Sequence, residues 1–84
     1  MIKLLIVDDH PIFRKGLVAL ISDEYKGCQI TEAIDGAQAI DALNASAFDI
    51  TILDIDMPEK SGIEVLDFIV ENKIKTKPVI LTMH

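Results

Sequence analysis

Four aspartates stand just after two short apolar runs of this 84-residue sequence. Asp8 and Asp9 end the segment LLIVDDH, and Asp54 and Asp56 follow the apolar residues of TILDIDMP. Crowded carboxylates repel each other and raise each other's pKa unless a cation lies between them. Mg²⁺ prefers oxygen ligands in an octahedron, usually one or two carboxylates with water and phosphate oxygens. The four acids therefore predict a magnesium site if the fold brings the two runs together.

A carboxylate beside such a cation can also attack a phosphoryl group and form an acyl phosphate. Asp54 is central in this arrangement and is the natural acceptor, with Asp8 and Asp9 holding the metal. Each acid also has a purely structural explanation. Asp9 or His10 could cap a helix that starts at Pro11, Asp54 could mark a strand end, and the Asp56 side chain could be a solvated loop charge. Acids at the ends of two strands, taken together, favour a metal and phosphoryl site over these separate structural roles.

The apolar pattern predicts strands that alternate with helices. Strands are expected at 3–7, 28–34, 50–53 and 79–83, and helices after Pro11, after Asp35-Gly36 and from Ser61, which forms a capping box with Glu64. This order is typical of a parallel sheet with helices on both faces. The second strand is the most polar and belongs at an edge, which gives the strand order 2-1-3-4. Ligands bind where such an order reverses, so the acids should meet there.

The remaining residues of interest are expected to have structural rather than catalytic roles. His10 is predicted to be a loop residue without a catalytic role, Cys28 a small buried hydrophobe, and the lysines from 73 to 77 a solvated helix end. The residues expected at helical spacing toward the core are Ile12, Phe13, Leu17, Leu20 and Ile21 in the first helix, Ala39, Ile40 and Leu43 in the second, and Ile63, Leu66, Ile69 and Val70 in the third.

Composition narrows the function classes. The formal charge is −6, which disfavours binding of nucleic acid by this chain. A single cysteine allows no internal disulfide, and the start of the chain resembles neither a signal peptide nor a membrane span. We therefore expect one small cytoplasmic domain over residues 1–84.

Three stretches resemble the receiver domain of two-component response regulators: LLIVDDHPIFRKGL, ILDIDMPEKSGIEVL and PVILTMH. The first stretch and LTMH are most similar to the subfamily whose receivers precede a helix-turn-helix DNA-binding domain. The resemblance covers the whole chain. It implies a doubly wound flavodoxin-like α/β sheet, a histidine kinase as phosphoryl donor, Mg²⁺ as cofactor and a role in transcription regulation. It also implies a phosphoacceptor domain rather than a turnover enzyme.

The resemblance implies a role for each acid. Asp54 corresponds to the phosphorylated aspartate, and Asp8 and Asp9 to the acidic pair that binds Mg²⁺, Asp9 more directly. Asp56 stands where the family uses the backbone carbonyl as a metal ligand, and its side chain tunes loss of the phosphoryl group.

The resemblance also assigns roles near the end of the chain. Thr82 matches the switch hydroxyl that bonds the phosphoryl group, and Met83 the position that controls access to it. A complete receiver has five strands and five helices, whereas this sequence ends at His84 after the fourth strand. We therefore expect an incomplete receiver of four strands and three helices, without the family's fifth-strand lysine or an output domain, and impaired in phosphorylation.

Two other functions stay open. The apolar stretch PVILTM would be an exposed edge in a four-stranded sheet, so copies of the chain could form homo-oligomers by strand pairing without phosphotransfer. ILDIDMP also resembles the aspartate-x-aspartate motif of haloacid-dehalogenase-type phosphatases. That motif normally follows the first strand, and no later catalytic lysine is present here, which makes this function the weaker one.

Overall fold

Seven elements alternate along the chain in the computed structural model, which describes residues 1–55 and 61–81 and, at Ser61, the backbone only. They are β1 (Lys3–Val7), α1 (Pro11–Glu24), β2 (Gln29–Ala33), α2 (Gly36–Ala45), β3 (Ile50–Asp54), α3 (Ser61–Glu71) and β4 (Lys77–Leu81). All strand pairs are parallel, in the order β2-β1-β3-β4. The predicted fold class and strand order are confirmed.

The main core lies between the sheet and helices α2 and α3. β1 is flanked by strands on both sides, and its apolar side chains are buried on both faces of the sheet, as is usual for central parallel strands. Leu5 and Val7 point toward α2 and α3. The buried residues that pack with them are Ala33, Ala39, Leu43, Phe48, Leu53, Val65 and Ile69.

Helix α1 covers the other face of the sheet more loosely, and its predicted inward face is partly wrong. None of its residues is fully buried, and Ile12 is 89% exposed. Leu20 is also exposed. The half-buried stripe consists of Phe13, Arg14, Leu17, Val18 and Ile21. The helix is rotated toward Arg14, whose guanidinium group makes hydrogen bonds beneath it, and this rotation turns Ile12 outward.

An apolar groove of about 350 Å³ remains between α1 and the sheet. Ile21 and Tyr25 border it on the α1 side, and Leu4, Ile52 and Val79 form part of its floor. Cys28 also lines the groove and is half-buried rather than buried, which corrects the expectation for this thiol.

Helix α3 is rotated relative to the prediction. Its buried residues are Gly62, Val65 and Ile69, with Leu66 half-buried, whereas Ile63 is exposed and Val70 is 66% exposed. The prediction that Ile63 and Val70 face the core is therefore wrong, and Val65 is a core residue that the apolar pattern did not predict. The close approach of Gly62 to the backbone of β3 turns this face of the helix inward.

Helix α2 and strand β4 agree more closely with the sequence-based predictions. Asp35 caps α2 by accepting a hydrogen bond from the Gln38 backbone N–H at 2.8 Å. β4 begins at Lys77 rather than at residue 79 and is an outer strand of the described sheet, with Val79 and Ile80 exposed. Within residues 1–55 and 61–81, no helix has the length and apolar character needed to cross a membrane.

Candidate functional site

Three of the four predicted acids, Asp8, Asp9 and Asp54, lie together at the carboxyl end of the sheet. β1 and β3 are parallel neighbours with Val7 opposite Leu53, so the next residues, Asp8 and Asp54, stand side by side at the carboxyl ends of these strands. The strand order reverses between β1 and β3, and this switch point is where α/β sheets bind ligands. The apolar runs before the two acids therefore place them at the same point.

Burial distinguishes the three acids. Asp8 is 1% exposed and Asp54 is 0% exposed, whereas Asp9 is half-buried at the rim. Asp8, Asp9 and Asp54 form a cluster that we call the acidic cluster. Each of them, together with His10, offers one possible ligand atom, and these atoms all lie within 4.8 Å of one another. The cluster has the carboxylate oxygens that suit a hard divalent cation.

Two local observations support a cation at the acidic cluster. Asp8 Oδ2 is buried and has no hydrogen-bond partner among the described residues. A buried carboxylate oxygen without a partner carries a large desolvation cost, which a bound cation would offset. Asp9 does not cap α1, because His10 occupies the N-cap position and no side chain caps the helix. The structural explanation for Asp9 is therefore wrong, and its carboxylate is available to a metal.

His10 lies at the centre of the acidic cluster, where the sequence predicted no role for it. Its Nδ1 lies 3.1 Å from Asp8 Oδ1, 3.1 Å from Asp9 Oδ1 and 3.2 Å from Asp54 Oδ2. The His10 backbone N–H also donates to Asp8 Oδ1 at 2.6 Å, closing a turn that aims the ring at the acids. Because aspartate commonly bonds the backbone two residues onward, the Asp8-x-His10 spacing was the available signal.

The acids raise the pKa of His10 above its ordinary value. The hydrogen bond to Asp8 is the main cause, partial burial acts in the opposite direction, and the negative charges of Asp9, Asp8 and Asp54 add to the rise. When protonated, His10 is a cation that lies among three carboxylates.

This pKa shift predicts a pH-dependent contribution of His10 to stability. Because the folded-state pKa is raised, the contribution is fully present below the unfolded-state value of 6.5 and is lost as the pH rises through the folded-state pKa. In EDTA, His10→Gln should therefore lower the free energy of unfolding more at pH 6 than at pH 9. An NMR titration of His10 in a His84→Gln background measures the pKa directly. A midpoint at or below 6.5 would contradict this prediction.

Arg14 supports the loop that carries the acids. Its Nη1 donates to the Asp8 backbone oxygen at 2.8 Å, its Nε donates to Glu32 Oε1 at 2.8 Å, and its side chain is 12% exposed. The guanidinium group therefore joins α1, the end of β1 and the edge strand β2. The sequence pattern did not predict this pair. Its signal was Glu32, a charged residue that interrupts the apolar pattern of the second strand.

Gly62 permits close contact between α3 and β3. A Cβ atom at this position would overlap the backbone oxygen of Asp54 and crowd the Cα of Ile55. Only glycine therefore lets the first turn of α3 approach the strand end that carries Asp54. The sequence signal was a glycine at the second position of the predicted helix.

Three predicted site residues lie outside the described residues. They are Asp56, Thr82 and Met83. Their roles stay predictions, as does the side-chain half of the capping box at Ser61.

Comparison with known proteins identifies the family. The model of the response regulator receiver domain matches residues 4–84. The chain belongs to this family. Among its relatives, the nitrate/nitrite response regulator protein NarP of Escherichia coli is 35% identical over 81 residues, which cover 96% of this chain and 38% of NarP. The response regulator UvrY of Escherichia coli is 34% identical over 85 residues, covering 100% of this chain and 38% of UvrY. This receiver sequence thus spans less than half the length of these relatives.

Solved structures show the same fold. The response regulator TrrA of Thermotoga maritima, crystallised in complex with Mg²⁺-BeF, superposes with a TM-score of 0.88 at 36% identity, covering 100% of this chain and 71% of TrrA. The receiver domain of the putative response regulator NarL from Mycobacterium tuberculosis gives a TM-score of 0.86 at 30% identity, covering 99% of this chain and 67% of that one. The four strands and three helices described here therefore form part of a receiver fold.

Proposed function

We propose that this receiver accepts a phosphoryl group on Asp54 and that Asp8 and Asp9 hold the required Mg²⁺. The observation that carries the proposal is the burial of Asp54 beside two further carboxylates at the switch point of the sheet. The Mg²⁺-BeF complex of TrrA, which is 36% identical, supports a magnesium requirement. When bound, Mg²⁺ would supply positive charge that offsets the charge of the acids and of the incoming phosphoryl group.

The chain's own residues position the nucleophile. A carboxylate oxygen of Asp54 attacks phosphorus, and the bond from phosphorus to the donor nitrogen of a phosphohistidine breaks, so the donor imidazole leaves with its electron pair and takes up a proton. Gly62 holds the first turn of α3 against the Asp54 backbone, and Arg14 holds the Asp8 backbone oxygen. Both contacts limit movement of the acids during transfer.

The finer roles follow from family membership. We assign the donor as a histidine kinase and the compartment as the cytoplasm. We also assign the Asp56 carbonyl as a metal ligand, Thr82 as the switch hydroxyl, and the Asp56 and Met83 side chains as controls on access to the phosphoryl group. The chain covers 38% of NarP and UvrY, so control of transcription through a DNA-binding domain is a proposal for the full-length protein.

Intact-mass analysis after incubation with acetyl phosphate and Mg²⁺ tests the phosphoacceptor. We expect a phosphoryl adduct on the chain that is absent in Asp54→Asn and in EDTA, because the amide is not a nucleophile and the acids need the metal. The family's fifth-strand lysine is not among these 84 residues, which contain no lysine after Lys77. We therefore expect fewer phosphoryl groups than one per chain. The control is Asp23→Asn, an exposed acid near the end of α1.

Two results would contradict these expectations. An adduct that persists in Asp54→Asn would place the acceptor elsewhere. A stoichiometric adduct in the unmodified chain would show that the family's fifth-strand lysine is dispensable here.

Pairing of copies through β4 is the second candidate. The exposed Val79 and Ile80 favour it. Pro78 opposes it. The Lys77 N–H donates to the Asp49 backbone oxygen on the β3 side. Because backbone N–H groups alternate in direction along a strand, the backbone nitrogen of Pro78 lies on the outer side, where it has no hydrogen to donate to a partner strand. We therefore expect a monomer by native mass spectrometry at micromolar concentration. A dimer that Ile80→Lys dissociates would instead support pairing.

A further inference from the structure

The imidazole of His10 is placed as a ligand would be. Its Nδ1 lies 3.1–3.2 Å from one oxygen each of Asp8, Asp9 and Asp54. Two ligand atoms bound in cis to one octahedral ion at about 2.1 Å are about 3.0 Å apart, and two in a tetrahedral site about 3.4 Å apart. The three spacings fall between these values. A dication could therefore take Nδ1 and carboxylate oxygens as ligands, after shifts that draw together the four candidate ligand atoms, which now lie within 4.8 Å of one another.

One carboxylate oxygen of the acidic cluster, Asp8 Oδ2, would be stabilised by a bound cation. Asp8 Oδ2 is buried without a hydrogen-bond partner among the described residues, on a side chain that is 2% exposed. This observation is independent of His10, whose ring contacts the other oxygen of Asp8. The acidic cluster therefore combines a buried carboxylate oxygen without a partner among the described residues and an imidazole nitrogen.

A nitrogen ligand changes which ions bind. Carboxylate and water ligands suit Mg²⁺, whereas imidazole favours the later first-row dications, whose affinity for nitrogen sites rises from Mn²⁺ through Co²⁺ to Cu²⁺. The His10 ring is half-exposed, so it can swing out of the site when a hard ion keeps its waters.

We propose that His10 Nδ1 is a direct ligand at the acidic cluster and makes this site selective for Co²⁺, Ni²⁺ and Zn²⁺ relative to an all-oxygen site. The inference rests on the proposed metal-dependent function of Asp8, Asp9 and Asp54. It adds that the ring stays in the site with these ions and leaves it with Mg²⁺. The receiver then has two metal-bound forms that differ in whether the imidazole covers Asp54.

Paired titrations with Co²⁺ and Mg²⁺ test this ligand. Calorimetry on the 84-residue chain and on His10→Gln should show that Co²⁺ binds the variant at least about tenfold more weakly. Loss of a residue that merely hydrogen-bonds a metal ligand already lowers metal affinity by about ten- to hundredfold, and loss of the ligand itself should cost at least as much. The Mg²⁺ affinity should change by less than about twofold, because Mg²⁺ does not use the ring. Asp23→Asn, at an exposed position of α1, is the control and should leave both affinities unchanged.

A spectroscopic signature separates ligation from an indirect effect. Co²⁺ should produce a strongly shifted, exchangeable imidazole N–H resonance from the ring nitrogen that does not bind the metal, and this resonance should disappear in His10→Gln. Unchanged Co²⁺ affinity in His10→Gln, with normal Mg²⁺ binding, would overturn the role of His10 and leave the proposed function intact. If the chain bound neither ion, both proposals would fall.

Discussion

Magnesium should raise the midpoint of thermal unfolding of this receiver by about 6–11 °C at a metal concentration about ten times the Kd. Binding to the folded state alone adds RT ln(1 + [L]/Kd), which is about 1.4 kcal/mol at that concentration. For a domain of 60–100 residues, each kcal/mol shifts the midpoint by roughly 4–8 °C. The physical cause is relief of repulsion among three acids, two of which are buried. Calorimetry with and without Mg²⁺ at pH 8 measures the shift.

Asp9→Asn should abolish most of this shift. The amide keeps the size of the side chain but removes the charge, and Asp9 does not cap α1, so its loss should not destabilise the metal-free protein through the helix. Asp23→Asn removes the same charge from an exposed position of α1 and should retain the full shift. A full shift in Asp9→Asn would place the metal away from the acidic cluster.

Gly62→Ala should destabilise the protein by about 1–3 kcal/mol and weaken Mg²⁺ binding at the same time. The new Cβ would overlap the backbone oxygen of Asp54, and backbone cannot move aside as a flexible side chain can. Helix α3 would have to retreat from β3, which would shift the strand end that carries Asp54 and reduce burial of Val65 and Ile69. Urea unfolding and a Mg²⁺ titration measure the two effects.

Gly16→Ala is the matched control for Gly62→Ala. Gly16 lies inside α1 with no atom near the added Cβ, so alanine there should stabilise the helix by about 0.5–1 kcal/mol. The two substitutions are chemically identical and should have opposite signs. A stabilised Gly62→Ala variant would show that the contact between α3 and Asp54 is loose enough to adapt.

The sequence by itself predicted the strand order and the meeting of Asp8, Asp9 and Asp54. Continuous apolar runs predict buried parallel strands, the more polar second strand predicts an edge, and acids placed directly after the first and third runs must meet wherever those strands are neighbours. These inferences depend on local pattern and on general rules of sheet topology. Packing detail does not alter them.

Only the tertiary structure decided how the helices are rotated and what surrounds the acids. Ile12 and Val70 match a helical apolar pattern but are exposed, because Arg14 and Gly62 turn their helices by contacting the ends of β1 and β3. His10 was predicted to be a plain loop residue. It faces the acidic cluster because its backbone N–H bonds Asp8 and because β3 brings Asp54 within 3.2 Å of its ring. A pattern along one segment cannot encode contacts between separate elements, such as that of His10 with Asp54.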